Sequence, residues 1–210
     1  YRAGPRRSDP LTAPLGVILA GGQATRMGGG DKGLLSLGDR SILDEVIARL
    51  APQVSGMALN ANGDAARFAD LRLPVLPDSV AGHPGPLAGV LAGLDWAAGQ
   101  GADRIVTVAA DTPFFPRDLV ARLAAAAEDA PIALAATREG DRVYRHPTFG
   151  LWPVALRDDL RAALADGVRK VVMWTDRHGC GQALFPTDGG DPFFNVNTPD
   201  DLERAREMAS

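Results

Sequence analysis

The sequence has almost no cysteine, no excess of basic residues and no long apolar run, and each absence excludes a class of protein. Its 210 residues include one cysteine, Cys180, so an intramolecular disulfide framework is impossible and a reducing compartment is expected. With 26 acidic and 22 basic side chains the net charge is -4, which argues against the broad positive surface that duplex nucleic acid requires. Any phosphate ligand must therefore be met by a local site.

Apolar stretches are all far shorter than the roughly 20 residues that a membrane-spanning helix needs. We therefore expect a soluble, cytoplasmic protein that does not bind membranes. The opening YRAGPRRSDPLTAP carries an arginine pair without a following apolar stretch of signal-peptide length, and we predict a disordered extension over residues 1–14. Residues 15–210 suffice for one domain with its own core, and we predict one there.

Short apolar runs alternate with longer amphipathic segments along the chain. This alternation is typical of βαβ units around a mostly parallel sheet covered on both faces, so we predict the α/β class. Predicted helices begin at Ser41, with a capping box to Asp44, and near Pro86. After about Arg142 the pattern is less regular. Predicted strands cover residues 15–20, 54–60, 73–76, 104–110, 132–136 and 146–152, and further helices cover 119–128, 155–164 and the stretch after Thr198.

The stretch LAGGQATRMGGGDKG, residues 19–33, directly follows the first predicted strand. Its glycines allow several backbone N–H groups to turn toward one anion, while Arg26 offers a planar fork for phosphate oxygens and Lys32 a mobile charge. A flexible linker is the alternative, but Met27 and the leucines after Gly33 favour a loop pinned to a core at both ends. We interpret the loop as a polyphosphate site.

Two common phosphate motifs fit this loop poorly. Residues 28–33 match G-x-G-x-x-G, but they lie eight residues past the strand end, and the second strand ends in Asn60 where a dinucleotide-binding fold has an acidic residue. Lys32 precedes Gly33 rather than the Ser or Thr that a P-loop uses to bind magnesium. The sequence therefore disfavours both a Rossmann dehydrogenase and a P-loop NTPase.

Polar residues follow the successive predicted strands. Asn60 ends the second, Asp78 follows the third and Asp111 follows the fourth. Ligands of open α/β sheets bind outside the carboxyl ends of the strands, so these residues and the glycine loop are expected to converge on one crevice. Each residue alone is typical of a turn, or of a helix N-cap in the case of Asp111. Only the set indicates a nucleotide site.

Taken together, LAGG, Arg26, Met27 and GGGDKG resemble the signature of the molybdenum cofactor guanylyltransferases, a family of nucleotidyltransferases with a three-layer Rossmann-like fold. The pair Gly21-Gly22, in place of Ala-Gly, resembles the guanylyl rather than the cytidylyl branch. The resemblance spans about 15–208, with Asp39-Arg40-Ser41 standing where the family often has Gly-Lys-Pro. Further segments agree in order and spacing: NAN at 60–62, PDS at 77–79, GPLAG at 85–89, DTP at 111–113, HPT at 146–148 and NVNTP at 195–199.

The resemblance implies an activity and its ligands. A member of this family transfers GMP from GTP to the terminal phosphate of molybdopterin, releases pyrophosphate and forms the guanine dinucleotide cofactor. It implies Mg²⁺ as the cofactor, GTP and molybdopterin as ligands, and transient contacts with proteins that supply and receive the cofactor.

The resemblance also assigns roles to matching positions. Asp111 matches the carboxylate that holds magnesium, and Asn195 and Asn197 match a motif on the pterin side. Catalytic roles are expected for Arg26, Lys32 and Asp111, because transfer between two anionic groups depends on positive charge and positioning. Nucleotide contacts are implied for Leu19, Ala20, Gly21, Gly22, Lys32, Asn60, Asp78 and Asp111.

Several alternatives stay open at this point. A cytidylyltransferase for the same cofactor or a sugar-phosphate nucleotidyltransferase shares much of the loop, whereas a non-catalytic delivery adaptor is expected to lack Lys32 or Asp111. Arg26 serves equally well as a clamp on loop carbonyls. The histidines lack metal-ligand spacing, and the tryptophans are more typical of a core than of pterin stacking. Basic residues in the last third either receive the pterin phosphate or form a solvated face: Arg142, Arg145, Arg169, Lys170 and Arg177.

Overall fold

A seven-stranded sheet forms the centre of the described part of the chain, in a computed structural model that describes residues 13–21, 31–80, 82 and 85–209. The strands are β1 (Leu15–Leu19), β2 (Ser36–Leu37), β3 (Arg40–Ser41), β4 (Gly56–Asn60), β5 (Val75–Leu76), β6 (Arg104–Ala109), β7 (Ile132–Glu139), β8 (Arg142–Pro153) and β9 (Cys180–Phe185). The helices are α1 (Ile42–Leu50), α2 (Pro86–Gly99), α3 (Leu119–Ala126), α4 (Arg157–Ala165), α5 (Val171–His178) and α6 (Pro199–Ala209).

The sheet has the order β5-β4-β1-β6-β8-β7-β9, and β2 pairs with β3 in a separate two-stranded ladder. Strands β5, β4, β1 and β6 run parallel, and β9 runs parallel to β7. Strand β8 lies antiparallel between β6 and β7. The predicted mostly parallel sheet is therefore confirmed.

Helices cover both faces of this sheet. Val17 and Ile18 are neighbours in β1 but belong to different buried clusters, since successive side chains of a strand point to opposite faces. Val46 of α1 and Leu123 of α3 lie in the cluster of Ile18, whereas Trp174 of α5 lies with residues of α2 and α4 in the cluster of Val17. The predicted three-layer α/β arrangement is confirmed.

Local sequence signals set the start of helices α1 and α2. Ser41 Oγ accepts a hydrogen bond from the N–H of Asp44 at 3.0 Å, and the Asp44 carboxylate accepts from the N–H of Ser41 at 2.9 Å. This capping box fixes the first residue of α1. Pro86 is the first residue of α2, where its missing N–H costs nothing.

The last third of the chain differs most from the sequence prediction. The predicted strand over 146–152 is longer and forms a hairpin with β7, turning at Gly140 with a φ of 57°. Helix α5 and strand β9 were not predicted. Trp152 and Trp174 are fully buried, which confirms the prediction that these two side chains belong to the core. In the described part of the chain, no helix is long and apolar enough to cross a membrane.

Candidate nucleotide site at the strand ends

Three adjacent parallel strands end together at the edge where the site lies. Leu19 at the end of β1 is in register with Asn60 of β4 on one side and with Ala109 of β6 on the other. Beyond these positions the N–H of Ala20 donates to the carbonyl of Asn60 at 2.9 Å, and the N–H of Ala110 to that of Leu19 at 3.0 Å. The segments that follow β1, β4 and β6 are therefore held side by side, as the strand-end argument predicts.

An amide–carboxylate group, formed by Asn60, Asn62 and Asp78, lies on the β4 side. Asn60 Nδ2 donates to Asp78 Oδ1 at 2.9 Å and to the carbonyl of Leu76 at 3.1 Å. Asn62 Nδ2 donates to Asp78 Oδ2 at 2.8 Å, and Asn62 Oδ1 accepts from the N–H of Asp78 at 2.9 Å. Both carboxylate oxygens are thus fixed by amides. Asn62 is the last residue of the NAN motif and had no predicted role.

Gly89 of α2 provides the space that the Asn60 side chain occupies. A Cβ added at Gly89 would lie 2.9 Å from Cγ of Asn60 and closer still to its Oδ1. Real Cβ atoms do not approach other heavy atoms so closely, so a larger residue would displace the carboxamide. The second glycine of GPLAG is therefore required for the close approach of α2 to the amide–carboxylate group.

A lysine–carboxylate group, formed by Lys32, Asp111 and Asn197, lies on the β6 side. Lys32 Nζ donates to Asn197 Oδ1 at 2.9 Å. Burial raises the pKa of the nearby Asp111 carboxyl, and the charge of Lys32 opposes that rise. Both residues line a pocket whose other walls are Leu19, Ala20, Asp31, Gly33, Leu43, Phe68 and Ala110.

Asp111 is a largely enclosed carboxylate. Desolvation raises its pKa above the ordinary value of 3.8, and this effect outweighs the opposing influences of Lys32, of its own backbone N–H and of the Thr112 hydroxyl. The Asp111 carbonyl accepts from the N–H of Val196 at 2.8 Å. Such a carboxylate lacks water around it and gains most when a cation approaches.

The C-terminal asparagine motif lies against these residues. Asn195 Oδ1 accepts from the hydroxyl of Thr112, a fully buried residue that sequence reasoning did not single out. The N–H groups of Asn197 and Thr198 both donate to a carboxylate oxygen of Asp201, at 3.0 and 2.9 Å. The segment 195–198 therefore joins the ends of the glycine loop and of β6.

The residues of the pocket have the chemistry that a magnesium site requires. Mg²⁺ keeps most of its waters and is usually bound by one or two carboxylates together with substrate phosphates. Asp111 supplies one such carboxylate beside Lys32. Within the described ranges there is no group of three or more His, Cys, Asp or Glu side chains placed to cage a metal. The described residues of this pocket therefore fit a magnesium site with a single protein carboxylate.

Other predicted candidates lie elsewhere or outside the described residues. Gly22 and Arg26, predicted to contact the nucleotide or to act in catalysis, fall outside them, as does His83. His146 bonds to the Thr137 hydroxyl at 2.9 Å and stacks on a phenylalanine, which favours a structural role. In the basic set, Arg145 pairs with Asp176 at 2.5 Å and Arg169 donates to backbone carbonyls.

Comparison with known proteins decides the family. Residues 16–179 match the family described as MobA-like NTP transferase domain. A molybdenum cofactor guanylyltransferase from Bradyrhizobium sp. (strain ORS 278) is 52% identical over 208 residues, covering 97% of this chain and 96% of that protein. A protein of the same name from Rhodopseudomonas palustris (strain HaA2) is 53% identical over 209 residues, covering 97% and 96%. The chain belongs to the molybdenum cofactor guanylyltransferase family.

A solved structure shows that this guanylyltransferase family member shares a known fold. Molybdopterin-guanine dinucleotide biosynthesis protein A from Archaeoglobus fulgidus superposes with a TM-score of 0.68 at 23% identity, covering 93% of this chain and 98% of that one. At this identity the likeness establishes the fold alone. The nucleotidyltransferase architecture predicted from the motifs is confirmed.

Proposed function

We propose that this guanylyltransferase transfers GMP from GTP to molybdopterin, with Asp111 holding Mg²⁺ and Lys32 meeting the phosphates. The observation that carries the proposal is that Lys32 and Asp111 line one pocket at the end of β1, where Asn197 accepts a hydrogen bond from the lysine. The amide–carboxylate group lies on the other side of that strand end. The relatives named above carry guanylyl rather than cytidylyl or sugar-phosphate transfer in their names, which disfavours those alternatives.

The reaction joins two anions, so charge is its main obstacle. A phosphate oxygen of molybdopterin attacks the α-phosphorus of GTP, and the bond from that phosphorus to the β-phosphate oxygen breaks with its electron pair leaving on pyrophosphate. No covalent intermediate on the protein is required, and catalysis rests on positioning and charge stabilisation. The ammonium of Lys32, held by Asn197, offsets negative charge that grows on the leaving pyrophosphate.

Asp111 prepares the pocket for a cation. Its enclosed carboxylate is disfavoured as an anion until positive charge arrives, so binding of the metal with the triphosphate relieves the desolvation cost. When bound, Mg²⁺ supplies charge neutralisation to the phosphate oxygens. Leu43 and Phe68, both almost fully buried, give the pocket apolar walls that strengthen these interactions by limiting water.

The nucleoside is assigned to the β4 side of the cleft. Asp78 presents a carboxylate whose two oxygens are already fixed by Asn60 and Asn62, so it is an oriented acceptor for N–H or O–H groups of the nucleoside. Asn195 and Asn197 are assigned to the acceptor side, where molybdopterin approaches. We also propose that the protein makes transient contacts with the proteins that supply and receive the cofactor.

Calorimetric titration with GTP, CTP and ATP, each with and without Mg²⁺, tests this function. We expect selective GTP binding that requires Mg²⁺ and is lost in Asp111→Ala, which should stay folded but lose transfer activity by orders of magnitude. Preference for CTP would move the protein to the sibling reaction. Absence of nucleotide binding by the wild type would overturn the proposal in favour of a delivery adaptor, and near-normal turnover by Asp111→Ala would remove the metal role.

A further inference from the structure

Arg67 bridges two segments of the site and was not singled out from the sequence. It lies in the short 3₁₀ helix Ala65–Leu71 that follows the NAN motif. Its Nε donates to Asp31 Oδ2 at 2.5 Å, Nη1 to the carbonyl of Asp64 at 2.6 Å and Nη2 to the carbonyl of Asn62 at 2.6 Å. All three nitrogens of the guanidinium are engaged in fixed directions.

The partners of Arg67 belong to the two groups described above. Asp31 directly precedes Lys32, and its carbonyl accepts from the N–H of Leu34 at 3.0 Å to close the turn that carries the lysine. Asn62 belongs to the amide–carboxylate group and orients Asp78. Arg67 therefore directly links the segment that carries Lys32 to the loop that orients Asp78.

The guanidinium of Arg67 is held in one orientation by stacking as well. Its central carbon lies 4.5 Å from the ring centroid of Phe68, a side chain only 2% exposed that also lines the pocket. A planar cation over a buried ring loses little further freedom when it forms its hydrogen bonds. The pair with Asp31 also cancels a carboxylate charge that faces the same pocket as Lys32.

We propose that Arg67 is a positioning residue for guanylyl transfer. It ties Asp31, and through it the backbone of Lys32, to the loop that holds Asp78, so that phosphates and nucleoside meet a preformed cleft. This inference rests on the proposed function, in which Lys32 contacts the phosphates and Asp78 the nucleoside. A lysine cannot replace Arg67, because an ammonium lacks the planar fork that reaches Asp31, Asn62 and Asp64 together.

The test compares Arg67→Lys and Arg67→Ala with the wild type by GTP titration in Mg²⁺. Arg72→Asn is the matched control, since Arg72 is an exposed arginine next to the same 3₁₀ helix and has a left-handed backbone that asparagine tolerates. We expect both Arg67 variants to weaken GTP binding by about tenfold, as loss of charged hydrogen bonds at a partly exposed site implies, and Arg72→Asn to bind as the wild type. The melting temperature of each variant without nucleotide shows whether it is folded. If Arg67→Ala is unfolded, the comparison of Arg67→Lys with the wild type decides the test.

A double-mutant cycle with Lys32→Met separates positioning from a general structural effect. If Arg67 acts through Lys32, Arg67→Lys should have almost no further effect on GTP affinity in the Lys32→Met background, measured up to millimolar GTP. Additive losses would overturn the inference, as would unchanged affinity in Arg67→Lys. These results leave the proposed function standing if the wild type binds GTP. Failure of the wild type to bind GTP with Mg²⁺ overturns both.

Discussion

Lys32 Nζ and Asn197 Oδ1 form a 2.9 Å hydrogen bond between residues that are 165 positions apart in the chain. The contact joins the glycine loop to the C-terminal asparagine motif. The N–H of Asn197 is itself held by the Asp201 carboxylate at 3.0 Å, so the acceptor for the lysine is fixed from behind. Asn197 is therefore in contact with a residue of the proposed nucleotide side, in addition to the pterin role that the resemblance implies.

Replacing Asn197 tests this contact. Asn197→Ala removes the acceptor that orients Lys32, and we expect GTP affinity to fall by roughly five- to tenfold even when no molybdopterin is present, in line with the loss of one charged hydrogen bond. Calorimetric titration of GTP with Mg²⁺ measures it. Asn195→Ala is the matched control, because Asn195 contacts the Thr112 hydroxyl rather than the lysine. Equal GTP affinity in Asn197→Ala and wild type would restrict Asn197 to the acceptor side.

The desolvated carboxyl of Asp111 makes a prediction about stability. Its folded pKa lies above the ordinary 3.8, so between these values the folded state binds more protons than the unfolded state, and the free energy of unfolding falls as pH rises. At pH values above the folded pKa, the free-energy cost of burying the charged carboxylate is fully present. We therefore expect Asp111→Asn, measured without metal, to be more stable than the wild type at pH 7 and to lose this advantage as pH falls toward 4.

Urea unfolding at pH 7 and pH 4 measures this difference, and ligand supplies the control. Mg²⁺ with GTP should raise the melting temperature of the wild type, because a ligand that binds the folded state stabilises the protein. Asp111→Asn should show no such rise, since it lacks the carboxylate proposed to hold the metal. An asparagine variant that is less stable at pH 7 would show that Lys32 and the hydrogen bonds to Asp111 outweigh its burial.

Much of the sheet and the convergence of its strand ends could be predicted because the signals for them are local. The β-branched run of β6, the capping box at Ser41 and the proline that begins α2 each act within a few residues. The strand-end rule then placed Asn60 beside the end of β1, as found. The choice among the alternative functions depended on the whole set of motifs, because no single motif distinguishes them.

The remaining features depend on contacts between distant segments. Nothing local shows that β8 runs antiparallel between β6 and β7, since a buried run has the same composition in either direction. The start of α5, Val171-Val172, has β-branched residues that favour strand, but burial of Trp174 against Trp152 overrides this preference. The role of Arg67 was equally hidden, because one partner, Asp31, lies 36 positions away.

Gly89→Ala separates helix propensity from packing at the site. Alanine in place of glycine inside a helix normally stabilises by about 0.5–1 kcal/mol, but here its Cβ would displace the Asn60 side chain that orients Asp78. We expect a lower melting temperature and weaker GTP binding. Gly99→Ala at the end of the same helix is the control, since nothing lies within 4 Å of its added Cβ. Equal behaviour of the two variants would show that Asn60 relaxes without consequence.

His146 gives the protein a second pH dependence, of opposite sign to that of Asp111. Burial lowers the pKa of its imidazole below the ordinary 6.5, while the nearby Asp191 carboxylate opposes the shift. The neutral ring stacks on Phe193 at 4.3 Å between centroids and bonds to the Thr137 hydroxyl. Its contribution to the free energy of unfolding is thus present above about pH 6.5 and is lost as pH falls through the folded pKa.

Substitution of His146 isolates this contribution. His146→Gln removes the titrating ring, so we expect the free energy of unfolding to fall less between pH 8 and pH 5 in the variant than in the wild type, as measured by urea unfolding at both pH values. Thr137→Val removes the neutral partner without removing a titrating group, and it should keep the wild-type pH dependence. Because Phe193 precedes the segment that carries Asn197, the acceptor for Lys32, acid should also weaken GTP binding more in the wild type than in His146→Gln. Identical pH profiles for the two proteins would show that protonation of His146 does not disturb that packing.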